Sequence, residues 1–161
     1  MRTARLGPDR VLVWHEAVQR EWIDYNGHLS EAYYVLVFGH ATDEMMSHLG
    51  LGPHYRATAQ ASLFTVEAHV RYLDQVPEGA GLEIRSSVIG AGAKKLHLWH
   101  EMWVSGTLRA TEEVLGVHVD TVGGRATAFP ESISAAIGTL LHDPPEAAGR
   151  SIRLGPAPAT T

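Results

Sequence analysis

The sequence predicts an α+β fold, one long central helix wrapped by a curved, mainly antiparallel sheet of about five strands, and three observations predict it. Between Ser30 and Leu49 the apolar residues Tyr34, Val37, Phe38, Ala41, Met45 and Leu49 fall three or four apart, one stripe of an α-helix. From Ser62 to Leu73 the period drops to two, with Phe64, Val66, Ala68, Val70 and Tyr72 alternating with Thr65, Glu67, His69 and Arg71. Turns marked by Gly or Pro at Pro77–Gly81, Gly90–Ala93 and Gly106 then cut the following chain into lengths that suit strands. A helix with one wide apolar stripe and a sheet with one apolar face hide both by packing together.

Taken in order, residues 11–19 (VLVWHEAVQ) form a first strand after Gly7-Pro8. Asn26-Gly27 marks a turn before the helix, for which Ser30 is an N-cap and Gly50 the residue just past its end. Strands follow over Ser62–Leu73, Leu82–Ile89, Lys94–Val104 and Leu108–Val122, then a short helix over Pro130–Leu141. The 161 residues are sized for one domain at roughly 100–200 residues each. Residues 1–142 are its expected extent, and 143–161, rich in Pro, Ala and Gly, a C-terminal tail or surface strap. A sheet of this kind has two open edges, so pairing with a second copy, as a homodimer or homotetramer, is expected.

Composition narrows the function. Thirteen Lys and Arg against 18 Asp and Glu leave a net charge of −5, which argues against a nucleic-acid partner tracked through its phosphates. There is no cysteine, hence no disulfide, thiolate nucleophile or Cys-ligated zinc, and a reducing cytoplasm is the expected setting. No apolar run follows Arg2, Arg5 and Arg10 to make a leader, and the stretch near Tyr33–Phe38 is too short for a membrane span. Ten histidines invite a metal, but no H-E-x-x-H occurs, and His97 and His100 fall on opposite faces of a strand. No metal and no redox cofactor are expected.

The strongest chemical signal is Asp24-Tyr25-Asn26-Gly27-His28, just ahead of the helix. A carboxylate near a helix N-terminus sits in a positive potential, and the free N–H groups around Ser30 and Glu31 can donate to a developing oxyanion. A base or nucleophile beside an oxyanion site is what acyl transfer needs. The same residues serve equally well as turn and cap residues.

The segment D-Y-N-G-H-L-S-E-A-Y-Y (Asp24–Tyr34) resembles the D-x-x-G-H-V-N-N-x-x-Y signature of the hotdog-fold acyl-CoA thioesterases, the 4-hydroxybenzoyl-CoA thioesterase-like family. The likeness continues through the helix and TVEAHVRYLDQVPEGAGLEIRSSV, over residues 11–125. It implies a hotdog fold and an acyl-CoA substrate. It also implies that Asp24 is the catalytic carboxylate, with backbone N–H at the start of the central helix polarising the thioester. Asn26, Gly27 and His28 shape the loop or position water. Ser30 and Glu31 stand where the signature has two asparagines.

Further segments, YNGHLSEAYYVLVFGHATDEMM, SLFTVEAHVRYLDQV, GAGAKKLHLWHEM, EEVLGVHVDTVGGRA and AAGRSIRLG, resemble the thioesterases of L-carnitine catabolism, free-standing or fused to a dehydrogenase. That group is described as acting on betainyl-CoA, so the resemblance implies a trimethylammonium head. Such a head wants aromatic faces and a counter-charge. Trp22, Tyr25, Tyr33, Trp99 and Trp103 are candidates, with Glu67 or Glu101 as the carboxylate, although each aromatic also suits plain packing. Arg71, Lys94 and Lys95 are candidates for the CoA phosphates. Two other readings stand beside hydrolysis: a hotdog hydratase or dehydratase using Glu67 and His69, and a non-catalytic acyl-CoA-binding module.

Overall fold

The computed structural model describes residues 2–149, so the tail from Arg150 onward lies outside the described residues. Strands β1 (Thr3–Leu6) and β2 (Leu12–Ala17) come first, then a 3-10 turn at Arg20–Trp22 and the long helix α1 (Glu31–His48). A second helix, α2 (Pro53–Ala59), precedes β3 (Ala61–Tyr72), β4 (Gly81–Ala91), β5 (Lys95–Val104), β6 (Thr107–Asp120) and β7 (Arg125–Ala126). Helix α3 (Glu131–Thr139) follows. The sheet runs in the order β1-β2-β4-β5-β6-β3, with β7 paired to β6, seven strands among the described residues where about five were expected. β1–β2 and β2–β4 are antiparallel, with Leu12 opposite Leu6 on one side and Ser86 on the other. The order of elements is the α+β arrangement expected of a hotdog fold, with β1 and α2 added.

By their internal contacts the residues group into two compact units. The first takes the chain through Met45 together with Val70–Ser87 and His100–Glu112. Its core sets Tyr34, Val37, Phe38 and Ala41 of α1 against Leu82 and Ile84 of β4, Met102 and Val104 of β5, and Ala110 of β6. The apolar stripe of α1 is therefore the face that packs. A polar bridge crosses this core: His100 Nδ1 lies 2.7 Å from Ser86 Oγ and Nε2 lies 3.0 Å from Thr42 Oγ1.

The second unit takes in Met46–His69, Val88–Trp99 and the described chain from Glu113 onward. Here α1 ends as expected. Gly50, at φ +82°, lets its own N–H reach the Ser47 carbonyl and the Leu51 N–H reach that of Met46. In β3 the expected alternation is broken: Ala61, Ser62 and Leu63 are buried, but every residue from Phe64 to Ala68 is exposed. β3 ends the sheet, and among the described residues nothing within its unit covers either face over that stretch. His118 is buried between Tyr55, whose hydroxyl is 3.0 Å from Nε2, and Phe129, stacked 4.8 Å away. His97 pairs with Glu113 at 2.7 Å, and the Gly149 N–H donates to the same carboxylate at 2.8 Å.

Candidate active site

The loop before α1 is built by its own short side chains. The Asn26 N–H donates to Asp24 Oδ1 at 2.8 Å, the Gly27 N–H to the Asp24 carbonyl at 3.0 Å, and the Asp24 N–H to the His28 carbonyl at 3.0 Å. Gly27 sits at φ +81°, where a side chain is strained although nothing lies within 4 Å of the place for its Cβ. Ile23 and Leu29 pair as a bridge, and the Leu29 N–H donates to the Val76 carbonyl at 2.9 Å, tying the loop to the segment ahead of β4.

The start of α1 differs from expectation in one respect. The Ser30 N–H is occupied, donating to the Trp22 carbonyl at 2.9 Å, so it does not serve as a free donor. The N–H groups of Glu31 and Ala32, in the first turn, have no partner among the described residues.

A groove of about 800 Å³ opens beside this turn. It is lined by Asp24, Asn26, His28 and Glu31, all candidate site residues from the sequence, together with Tyr34, Tyr72, Asp74 and Gln75, which were not. Tyr34 and Tyr72 meet edge to face, 5.1 Å apart. Their hydroxyls donate to the carbonyls of Asp74 and Glu31, each at 3.4 Å. Burial raises the pKa of both phenols, and for Tyr72 the charges of Glu31 and Glu112 add to the shift. Arg109 is paired with the Asp74 carboxylate.

Glu112, which sequence reasoning did not single out, is not among the groove residues, but its charge acts on the Tyr72 phenol. It is buried on β6, and burial pushes its carboxyl up to about 7. A count by twos from Ala110 to Val114 puts it on the apolar face of its strand, which was the available signal.

The other candidates lie elsewhere. Trp22 is buried and stacked on Tyr33 at 5.5 Å, part of the core. Tyr25 is 98% exposed at the loop tip. Trp103 carries the Arg85 guanidinium 4.7 Å above its ring and donates to Glu101 at 2.9 Å. Arg71 is half-buried on β3 and is not among the groove residues. In the second unit Trp99 is buried, Glu67 exposed, Lys94 exposed beside the β4–β5 turn and Lys95 half-buried at the start of β5.

Among the described residues no group of three or more His, Cys, Asp or Glu is placed to hold a metal, and no helix is long and apolar enough to cross a membrane. What the groove does hold is a carboxylate, partner-free N–H donors one turn away, and aromatic faces, the parts that acyl transfer uses.

Comparison with known proteins agrees. Residues 18–137 match the model of the thioesterase-like superfamily. The chain is 39% identical over 155 residues to the betainyl-CoA thioesterase of Pseudomonas aeruginosa, covering 91% of this chain and 98% of that one. It is 38% identical to the L-carnitine dehydrogenase/betainyl-CoA thioesterase of Agrobacterium fabrum, over 94% of this chain but only 32% of that protein. Among solved structures, a Staphylococcus aureus protein in complex with CoA superposes with a TM-score of 0.81 at 29% identity, covering 90% of this chain and 96% of the other.

Proposed function

From a chain that belongs to the thioesterase-like superfamily, an acyl-CoA thioesterase of hotdog fold, we propose a narrower activity: hydrolysis of betainyl-CoA to glycine betaine and CoA. The observation that carries this reading is the 39% identity to the Pseudomonas aeruginosa betainyl-CoA thioesterase along 98% of that protein's length.

In the proposed reaction Asp24 acts on the thioester carbonyl carbon, either directly as nucleophile or by taking a proton from the attacking water. The carbonyl oxygen gains its negative charge facing the N–H groups of Glu31 and Ala32, where the positive end of α1 favours an anion. Collapse of the tetrahedral adduct breaks the C–S bond and expels CoA as a thiolate, a leaving group good enough to need no general acid. With Asp24 as nucleophile, that collapse leaves a mixed anhydride, which water hydrolyses to release glycine betaine and restore the Asp24 carboxylate. With Asp24 as base, the proton taken from water passes to solvent or to the thiolate, leaving a carboxylate and a thiol. Gly27 sets the turn, while Asn26 and His28 hold the loop or position water. Arg71, in the same unit as Asp24, is left to meet a CoA phosphate.

The working form in this reading is a homodimer or homotetramer. β3 ends the sheet with Phe64 46% and Val66 57% exposed, an edge suited to a second copy.

The test is thiol release from betainyl-CoA beside butyryl-CoA, benzoyl-CoA and a long-chain acyl-CoA. The expected kcat/KM preference for betainyl-CoA is about a hundredfold or more, about 2.7 kcal/mol of transition-state discrimination. Equal turnover across the panel removes betainyl-CoA as the substrate.

A further inference from the structure

We propose that Glu112, with the rings of Tyr72 and Tyr34, binds the quaternary ammonium head of the substrate; the inference rests on the betainyl-CoA reading above. Glu112 is 4% exposed, and among the described residues it makes no hydrogen bond and no ion pair. A buried carboxylate without donors is costly, so such a group is held protonated or is completed by a cation. Arg109, on the same strand, is paired with Asp74 and leaves that role open.

One aromatic of the groove, Tyr72, lies within reach of its charge. Glu112 shares a strand face with Ala110, which packs in the core against α1. On the adjacent strand β3, Tyr72 reaches the same helix through its bond to the Glu31 carbonyl, and Tyr34 meets it from α1. The charge of Glu112 is felt by the Tyr72 phenol, and both tyrosines line the groove that holds Asp24.

The kind of cation follows from what is left over. A primary ammonium or a guanidinium needs several acceptors in fixed directions. Both tyrosine hydroxyls already donate to backbone carbonyls, so what they offer a ligand is ring surface. A quaternary ammonium donates no hydrogen bond. It asks only for diffuse negative potential, which ring faces and one carboxylate supply. Glu31, which lines the same groove, adds to that potential.

The experiment compares betainyl-CoA with 3,3-dimethylbutyryl-CoA, which has carbon in place of the quaternary nitrogen. Wild-type enzyme is expected to prefer the cation in kcat/KM by about thirtyfold or more. Glu112→Gln, which keeps the shape and removes the charge, is expected to cut that ratio about tenfold or more, and Tyr72→Leu to cut it in the same direction. A ratio within about twofold of wild type in Glu112→Gln overturns the site, as does an equal loss on both esters. Should Glu112→Gln fail to fold, Tyr72→Leu decides by the same criterion. A wild-type enzyme that hydrolyses both esters equally, or neither, overturns the betainyl-CoA reading itself and this site with it, before any variant is read.

Discussion

The Asn26 N–H donates to Asp24 Oδ1 at 2.8 Å, so the proposed catalytic carboxylate also closes its own turn. An asparagine at position 24 keeps an oxygen for that bond but cannot ionise. Asp24→Asn is therefore expected to fold as the wild type does, with Tm within about 2 °C. Its kcat on the preferred thioester is expected to fall by about a hundredfold or more. Thiol release and a thermal melt on the same sample check both halves. Near-wild-type turnover would take Asp24 out of the chemistry and leave it a turn residue.

The next residue but two tests the loop in another way. Gly27 holds φ +81° with nothing within 4 Å of where a Cβ would stand. Gly27→Ala thus meets no clash and carries only the conformational penalty of the left-handed region, about 1–2 kcal/mol. A drop of that size in urea-melt stability is expected, together with slower hydrolysis, because the turn that aims Asp24 is loosened. Unchanged stability would mean that the turn relaxes to another geometry at no cost.

This turn was readable in the sequence because everything that makes it is local. Asp24, Asn26 and Gly27 bond to one another across three residues, and the stripe from Tyr34 to Met45 and the stop at Gly50 obey helix geometry alone. The groove wall was not readable in the same way. Tyr72 reaches the groove from β3, and the proposed role of Glu112 beside it depends on β3 lying next to β6 in the sheet, a pairing that joins distant parts of the chain. Glu112 also stands in the run Thr111-Glu112-Glu113, whose composition suggests a solvated face, whereas all three residues are buried. Trp22 and Tyr33 illustrate the converse: chemically apt for a cation, they stack on each other at 5.5 Å. Strand β1 and helix α2 carried no clear periodic signal, being four and seven residues long.

Acid stability is expected to depend on His100. The Thr42 hydroxyl donates to the Phe38 carbonyl at 3.0 Å, so it accepts from His100 Nε2–H, and Nδ1 then accepts from the Ser86 hydroxyl. The network wants a neutral ring, and complete burial lowers the His100 pKa to about 3. Below pH 6.5 the unfolded chain takes up a proton that the folded chain refuses until about pH 3. The contribution of this group is therefore fully present above 6.5 and is lost as pH falls towards 3, by a few kcal/mol in all. Urea melts between pH 4 and 7.5 are expected to show a flatter acid limb for His100→Gln than for the wild type, from a lower neutral starting point. Parallel curves would show that the ring is protonated in the folded state without penalty.

Glu112 carries the opposite sign over part of the same range. Its carboxyl titrates at 4.5 in the unfolded chain and at about 7 when buried, so between those values the folded chain holds the extra proton. Its contribution is fully present below 4.5 and is lost as pH rises through 7, by about 3 kcal/mol. Glu112→Gln cannot ionise and escapes that loss. The variant is expected to gain stability over the wild type as pH rises, from near equality at pH 4.5 to about 3 kcal/mol at pH 8. Urea melts at the two pH values check this. A gain in stability from the same substitution that weakens cation preference would mark Glu112 as a group kept for its ligand at the expense of the fold. A variant that loses stability at pH 8 would instead mean that the carboxylate is satisfied within the folded chain.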